Sequence, residues 1–389
     1  MSETDAGHAG PEEVMPLAGV RVVALEQAVA APLATRHLAD LGADVVKIER
    51  PGEGDFARHY DGVVLGQSAY FVWLNRGKRS VALDLGMAAD RSALDALLGR
   101  SDVFVHNLGP GAAERLGLDH ARIERRWPRL IGCAISGYGP DGPYARRKGF
   151  DLLLQGESGL MSVTGTGDAP AKVGISIADI AAGMYALTSI LAALRRRELT
   201  GKGSAIEISL LDCLAEWMSV PTYQARYGDG PPPRCGMRHA AIVPYGPYRT
   251  ADGQVNLAVQ NAGQWRRLCE QVLGRPELAD EPDFATNAAR VANRERLERE
   301  IEGILGSFSR LEAERRLLVA DVPFGEINDV ADLLAHPQLL ERGRWWDVPT
   351  AAGAVRTIMP PFNILGLPER PLPVPELGEH TEAVLEELS

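Results

Sequence analysis

The chain has 389 residues, is 45% hydrophobic and 24% charged, and carries a formal net charge of −11. That length holds two domains or one large one. The acidic balance argues against a broad nucleic-acid surface, so an anionic ligand must be held by a local cluster of positive groups.

Residues 1–16 are acidic and rich in small side chains. They lack a basic stretch followed by an apolar one, so they read as a disordered tail and not as a signal peptide. No uninterrupted apolar run approaches the roughly 20 residues of a membrane span. Cys133, Cys213, Cys235 and Cys269 form no CxxC pair, so no metal or redox motif is indicated. A reducing, cytoplasmic compartment fits this cysteine usage.

In chain order, Val20–Leu25 reads as a short apolar strand. Pro32–Leu41 has helical spacing and stops at Gly42, a good C-terminal cap. Ala43–Glu49 is the next strand, and Ser80–Leu85 a third in which Leu83 breaks the alternation. Ser92–Leu98 continues as helix, and Asp102–Asn107 and Leu130–Ser136 are further strands. Strands alternating with helices predict a parallel sheet covered on both faces. Gly137–Gly149 is a Gly-, Pro- and Arg-rich loop. Ile180–Arg197 is a long, nearly all-apolar helix, expected to be buried on most sides. Ile206–Val220 reads as a strand turning into a second buried helix, and Gly228–Pro233 (GDGPPP) as a boundary. Short strands follow around Tyr248–Gln260, then helices at Gln264–Leu273, Ala288–Phe308 and Leu311–Val319, and an extended tail at Pro360–Pro375. The expected organisation is a large α/β domain (17–221), a smaller α+β domain (222–331) and a C-terminal segment (332–389) returning to the first.

Asp179 is the sharpest chemical feature, at the start of the long helix. A carboxylate there meets the positive end of the helix dipole and unpaired N–H groups, which favour its ionised form. A sheltered carboxylate is a competent nucleophile toward an activated acyl group. The alternative is an ordinary N-cap, although Ser176 can fill that role equally well. Asp151 and Glu157, in GFDLLLQGESGL, are the next candidates, either as helix cap and turn residue or as groups beside a ligand. Positive residues recur at strand ends and in loops: Arg50, Lys78, Arg79, Arg115, Arg146, Arg147 and Lys148. Ligands of open α/β sheets bind at the carboxyl ends of the strands, and a phosphate-rich ligand needs several such charges together. The dinucleotide fingerprint, Walker A, HExxH and GxSxG patterns are absent.

Seven motifs in order carry a resemblance: LADLGADVVKIERPGEGDFAR, LNRGKRSVALDL, HNLGPGAAERLGL, SGYGPDGPY, ADIAAGMYALTSILAAL, TGKGSAIEISLLD and LGEHTEAVLEEL. With them the chain resembles the class III CoA-transferases, a family that includes formyl-CoA:oxalate and carnitine CoA-transferases and α-methylacyl-CoA racemases. The resemblance runs from Leu17 to about His380. It implies a Rossmann-like large domain, an interlocked homodimer, CoA thioesters as substrates without a permanently bound cofactor, and no nucleic-acid or membrane partner. It also implies that Asp179 is the catalytic aspartate, that Arg50, Arg115 and Lys148 face the CoA phosphates, and that Leu83, Asn107 and Leu108 line the adenine and pantetheine path.

Two departures narrow the activity. Racemases of the group carry a histidine where this chain has Phe150, directly before Asp151, and racemisation needs that second acid/base group. Formyl-CoA transferases carry a glutamine where this chain has Val29, and a tetraglycine loop that is missing here. The segment from Leu210 to Tyr248 resembles transferases acting on C4–C5 dicarboxylates such as mesaconate, itaconate or citramalate, with succinyl-CoA as donor. Arg238 and His239 are the candidates for the distal carboxylate, with Val29 and Asp151 beside the acceptor. The alternatives are a 2-methylacyl-CoA racemase or epimerase, and a non-catalytic CoA-binding protein.

Overall fold

The computed structural model describes residues 14–389, and residues 1–13 of the expected tail lie outside the described residues. Six strands form one sheet: β1 (Arg21–Leu25), β2 (Asp44–Glu49), β3 (Lys78–Ala82), β4 (Val103–His106), β5 (Ile131–Ser136) and β6 (Ser204–Ser209). Their order is β3-β2-β1-β4-β5-β6, and every neighbouring pair is parallel. Parallel pairing demands a crossover between strands. These are α1 (Ala30–Asp40), α2 (Ala69–Asn75), α3 (Ala88–Gly99), the pair α4 (Ala112–Leu116) and α5 (His120–Arg126), and the series α6 (Asp151–Glu157), α7 (Leu160–Val163) and α8 (Ile177–Thr200). A further helix, α9 (Leu210–Trp217), follows β6 directly.

Alternation along the strands decides which face each side chain covers. Val22, Val45, Val103 and Val105 pack on α1, α8 and α9. Val23, Val46 and Phe104 turn the other way, onto Leu94, Leu97 and Leu98 of α3, Ile123 of α5 and Val384 of the C-terminal helix Thr381–Glu386. The chain winds outward from β1 to β3, then returns to the other side of β1 with β4. The carboxyl ends of β1 and β4 therefore flank the switch point, where open α/β sheets bind ligands.

The third strand begins at Lys78 and ends at Ala82, so Leu83 lies just past the strand's end. Contrary to the sequence expectation it keeps the alternation, since Val81 and Leu83 are buried in the same core. Its N–H still reaches the Glu49 carbonyl at 3.0 Å. Helix α8 begins three residues before its expected start and is less enclosed than its composition suggests. It is long and apolar enough to cross a membrane, but half of its most apolar window is buried in the protein, on α1, α9 and the sheet. Met184, Thr188 and Ala192 stay exposed along one stripe.

The chain divides into two compact units. The first takes the residues up to Leu160, Val173–Ser219 and Leu339–Ser389; the second takes Met161–Lys172 and Val220–Gln338. The second has its own core around Tyr248, Trp265 and Phe284. It holds an antiparallel sheet of β7 (Tyr245–Arg249), β8 (Gln254–Ala258) and β9 (Phe324–Gly325), covered by helices that include Arg294–Leu305. The hairpin of β10 (Trp345–Thr350) and β11 (Gly353–Ile358) was not anticipated from sequence. Between Pro360 and Pro375 there is neither helix nor strand, and the Pro373 carbonyl takes the Gly77 N–H at 2.7 Å.

Helices α1 and α8 touch at Gly183. A Cβ there would lie 2.7 Å from the Ala30 carbonyl oxygen and 3.1 Å from the Leu33 Cβ. Alanine has the better helix propensity by about 1 kcal/mol. Gly183→Ala is nevertheless expected to lower the denaturation midpoint, and Gly183→Val to destabilise by about 1–3 kcal/mol through overpacking. A midpoint raised by alanine would show that the two helices part freely.

Candidate active site

Asp179 is the third residue of α8 and is mostly buried. Ser176 occupies the N-cap position, but its side chain makes no capping bond. The cap comes from another helix. Asp151, the first residue of α6, accepts the Ala178 N–H on Oδ1 at 2.8 Å and the Gln155 side-chain amide on Oδ2 at 2.7 Å. Asp179 is thus released from capping. Its acidity departs from the sequence expectation: burial, then the charge of Asp151, pushes it up to about 7 from an ordinary 3.8. Desolvation and a neighbouring carboxylate outweigh the helix dipole, whose influence is modest and confined to the first turn.

Val29 is buried at the N-cap of α1 and packs with Leu33 and Leu74, and Ala28, Trp73 and Ile180 close the same cluster. Ile180 directly follows Asp179 on α8, so the cluster reaches the first turn of that helix. An aromatic run lies on the same side, missed in the sequence. Phe56, Tyr60, Tyr70 and Trp73 stack in series with centroids 5.4–6.4 Å apart. The Tyr60 phenol is pushed up to about 12 by burial and by the charges of Asp55 and Asp179, which places it within electrostatic reach of both.

Beneath the strand ends lies a closed set of buried charges. Lys47 Nζ reaches Asp55 at 2.8 Å and Glu26 at 3.4 Å, and Lys78 Nζ reaches Glu26 at 2.6 Å. Arg58 holds Glu49 at 2.7 Å, and Glu49 also accepts from the Ser80 hydroxyl and the Asp55 N–H. Burial raises carboxylate pKa values, yet the charges of Lys78 and Lys47 hold Glu26 below its usual range. The Arg58 hydrogen bonds do the same for Glu49 against its own burial, to about 2. Burial pulls the Lys78 ammonium down despite Glu26. Lys78, a phosphate candidate in the sequence, is therefore enclosed. Arg79 is held by Asp44 and Glu387.

The other expected cations divide. Arg50 is exposed just beyond β2 and, among the described residues, pairs only with Glu53, at 2.9 Å. Arg115 on α4, Arg146, Arg147 and Lys148 are exposed and make no ion pair with a carboxylate among the described residues. The Gly109–Gly111 turn brings Arg115 and Arg146 together: a Cβ on Gly111 would lie 3.1 Å from one guanidinium nitrogen and 3.8 Å from the other. Leu108 is half-buried at the start of that turn. Leu83 is buried in the α3-side core, closed to a ligand. Asn107 turns inward: its Oδ1 accepts the Gln27 N–H at 2.9 Å and its Nδ2 donates to the Gln27 carbonyl at 2.7 Å. Glu157 accepts from the Tyr138 hydroxyl at 3.0 Å.

Arg238 and His239 belong to the second unit. Arg238 is clamped between Glu298 and Glu302 and lies over the Tyr248 ring. Those carboxylates engage the charge that a distal substrate carboxylate was expected to meet. His239 stacks on Tyr245, and its Nδ1 accepts the Ala241 N–H at 3.0 Å.

A sheltered carboxylate close to the switch point of a parallel sheet, with exposed guanidinium groups on neighbouring loops, defines an α/β enzyme for a large anionic substrate. Comparison with known proteins makes this specific. The model of CoA-transferase family III matches residues 17–381. The chain is 38% identical to a succinate–glutarate CoA-transferase of Agrobacterium fabrum, over 97% of each protein. It is 35% identical to a succinyl-CoA:mesaconate CoA-transferase of Haloarcula hispanica, over 95% of each. A crystal structure of a CAIB/BAIF family protein from Brucella suis superposes with a TM-score of 0.83 at 36% identity, covering 96% of this chain and 100% of that one. The chain belongs to CoA-transferase family III and is a CoA-transferase.

The raised Asp179 pKa has a thermodynamic signature. A carboxyl whose folded pKa lies above its unfolded value binds its proton more tightly in the fold, so stability falls as pH rises from about 4 to about 7. Asp179→Asn is expected to melt above the parent at pH 8, the difference closing toward pH 4. A constant difference across that range would show that Asp179 titrates normally.

Proposed function

We propose that this enzyme moves CoA from succinyl-CoA to a C5 dicarboxylic acid such as glutarate or mesaconate, with Asp179 as the covalent carrier. The observation that carries this reading is the mostly buried Asp179 carboxylate, on a helix whose Ala178 N–H is capped by Asp151 and whose next residue, Ile180, joins the apolar cluster of Val29 and Trp73. The names of the relatives supply the acid class.

In this reading the ionised Asp179 attacks the donor thioester carbonyl and expels CoA thiolate, leaving a mixed anhydride. The thiolate then attacks the aspartyl carbonyl, releases succinate and leaves Asp179 as its CoA thioester. The acceptor carboxylate displaces the thiolate through a second anhydride. The thiolate attacks the acceptor's acyl carbon and regenerates the carboxylate. Each anhydride is destroyed by water, so the apolar and aromatic wall serves the chemistry by exclusion. Arg50, Arg115, Arg146 and Lys148 are assigned to the CoA phosphates. Phe150 offers no group for proton transfer, which leaves the racemase alternative without its second base. Exposed Trp217 in the first unit, and Val220, Tyr223 and Tyr227 in the second, are apolar surface that a homodimer would cover.

Incubation with succinyl-CoA followed by peptide mass analysis is expected to find a CoA-sized adduct on the peptide containing Asp179. Transfer without any such adduct would remove the mechanism. Arg115→Ala and Arg146→Ala are each expected to raise KM for succinyl-CoA by about tenfold, the loss of a charge-assisted contact, with kcat little changed. An unchanged KM in both would place the phosphates elsewhere.

A further inference from the structure

The turn joining β1 to α1 is held from outside itself. Gln27 and Ala28 have three polar backbone groups that side chains from other elements engage. Asn107, directly after β4, accepts the Gln27 N–H and donates to the Gln27 carbonyl. Asp55, beyond β2, accepts the Ala28 N–H on Oδ1 at 3.0 Å, while its Oδ2 is tied to buried Lys47 at 2.8 Å. Ala28 sits at φ 62°, in the left-handed region, where an L side chain is disfavoured. A residue there needs its surroundings to hold it. The turn lies at the switch point of the sheet, and it leads into Val29, which with Ala28 packs in the apolar cluster that contains Ile180.

We propose that Asn107 and Asp55 are positioning residues for the transfer reaction: together they fix the Gln27–Ala28 turn in its left-handed form and so set the apolar cluster that packs on Ile180, the residue next to Asp179. Asn107 contributes through the turn. The inference rests on the reading of Asp179 as the covalent carrier. Asp55 has a second task, because its Oδ1 also caps the short 3-10 turn Phe56–His59 through the Ala57 N–H. Asn107 has no second partner among the described hydrogen bonds, so it isolates the effect.

The test uses Asn107→Ala and Asp55→Ala, singly and together, each also combined with Ala28→Gly. The assay is steady-state transfer from succinyl-CoA to glutarate, alongside the Asp179 adduct measurement on the wild-type protein. Displacing an aligned wall by an ångström costs on the order of 10–100-fold in rate. Each single variant is therefore expected to lose roughly that factor in kcat, with KM for succinyl-CoA within about twofold. The double variant should fall little below the worse single one, because both act on one turn. Glycine at 28 adopts positive φ freely, so Ala28→Gly should restore roughly 3–10-fold to either variant without supplying a polar group. A KM rise with unchanged kcat in Asn107→Ala would return Asn107 to the CoA path and overturn the proposal. Losses that multiply, or no recovery with glycine, would overturn it too. If Asp55→Ala does not fold, Asn107→Ala with and without Ala28→Gly decides alone, since its partners lie near solvent. A wild-type protein that transfers CoA without an adduct at Asp179 would instead refute the underlying reading.

Discussion

Three carboxylates and three cations lie largely out of water beneath the carboxyl ends of β1, β2 and β3, and they pair with one another. Burying an ion costs several kcal/mol, and only close, hydrogen-bonded partners offset it. Here Glu26, Glu49 and Asp55 pair with Lys47, Lys78 and Arg58. Removing one member leaves another unpaired in a dry interior. The consequence is geometric. Three strand ends and the loops leaving them are locked into one register with one another, which a purely apolar core of the same size, free to repack, would not enforce. The β1–α1 turn inherits that rigidity through Asp55, and the contact of α1 with α8 at Gly183 carries it to the helix that bears Asp179.

The state of Asp179 follows from competition between two effects at one helix end. The dipole and free N–H groups favour ionisation, but the Ala178 N–H is already taken by Asp151. What reaches Asp179 from that partner is negative charge. With desolvation added, the balance moves upward to about 7. A carboxylate in that position is ionised in a fraction of molecules near neutrality and is more basic when it is. Both properties suit the nucleophilic role proposed for it.

Much of the sheet was legible because period-two alternation records which face is buried. Val22 against Val23 and Val45 against Val46 point to opposite cores, and the sequence shows both as apolar. Asp179 was legible as a position but not as an acidity, since its partner Asp151 is 28 residues away and meets it only through the fold. Lys78 misled for a related reason. A lysine beside a predicted strand looks like a surface charge, whereas β3 starts two residues earlier than the apolar run and carries Lys78 inside. Lys47 was the available signal: a lysine amid the apolar residues of VVKIE on a strand covered on both faces needs a buried partner. Arg238 looked free in an apolar stretch, but Glu298 and Glu302 on a helix some 60 residues later engage it.

These cases separate two kinds of charge that sequence alone does not distinguish. Those on strands and immediately after them, at Glu26, Lys47, Glu49, Asp55 and Lys78, are matched internally and define shape. Those on the loops from Gly109 to Arg115 and from Gly137 to Lys148 have no carboxylate partner among the described residues and remain available to an anion. An acidic chain can bind a polyanionic ligand only if its cations are protected from its own carboxylates. Here the Gly109–Gly111 turn holds Arg115 and Arg146 side by side, and neither makes an ion pair with a carboxylate among the described residues. The net charge of −11 is therefore compatible with the proposed site for a phosphorylated substrate, because among the described residues the two populations share no ion-pair partner.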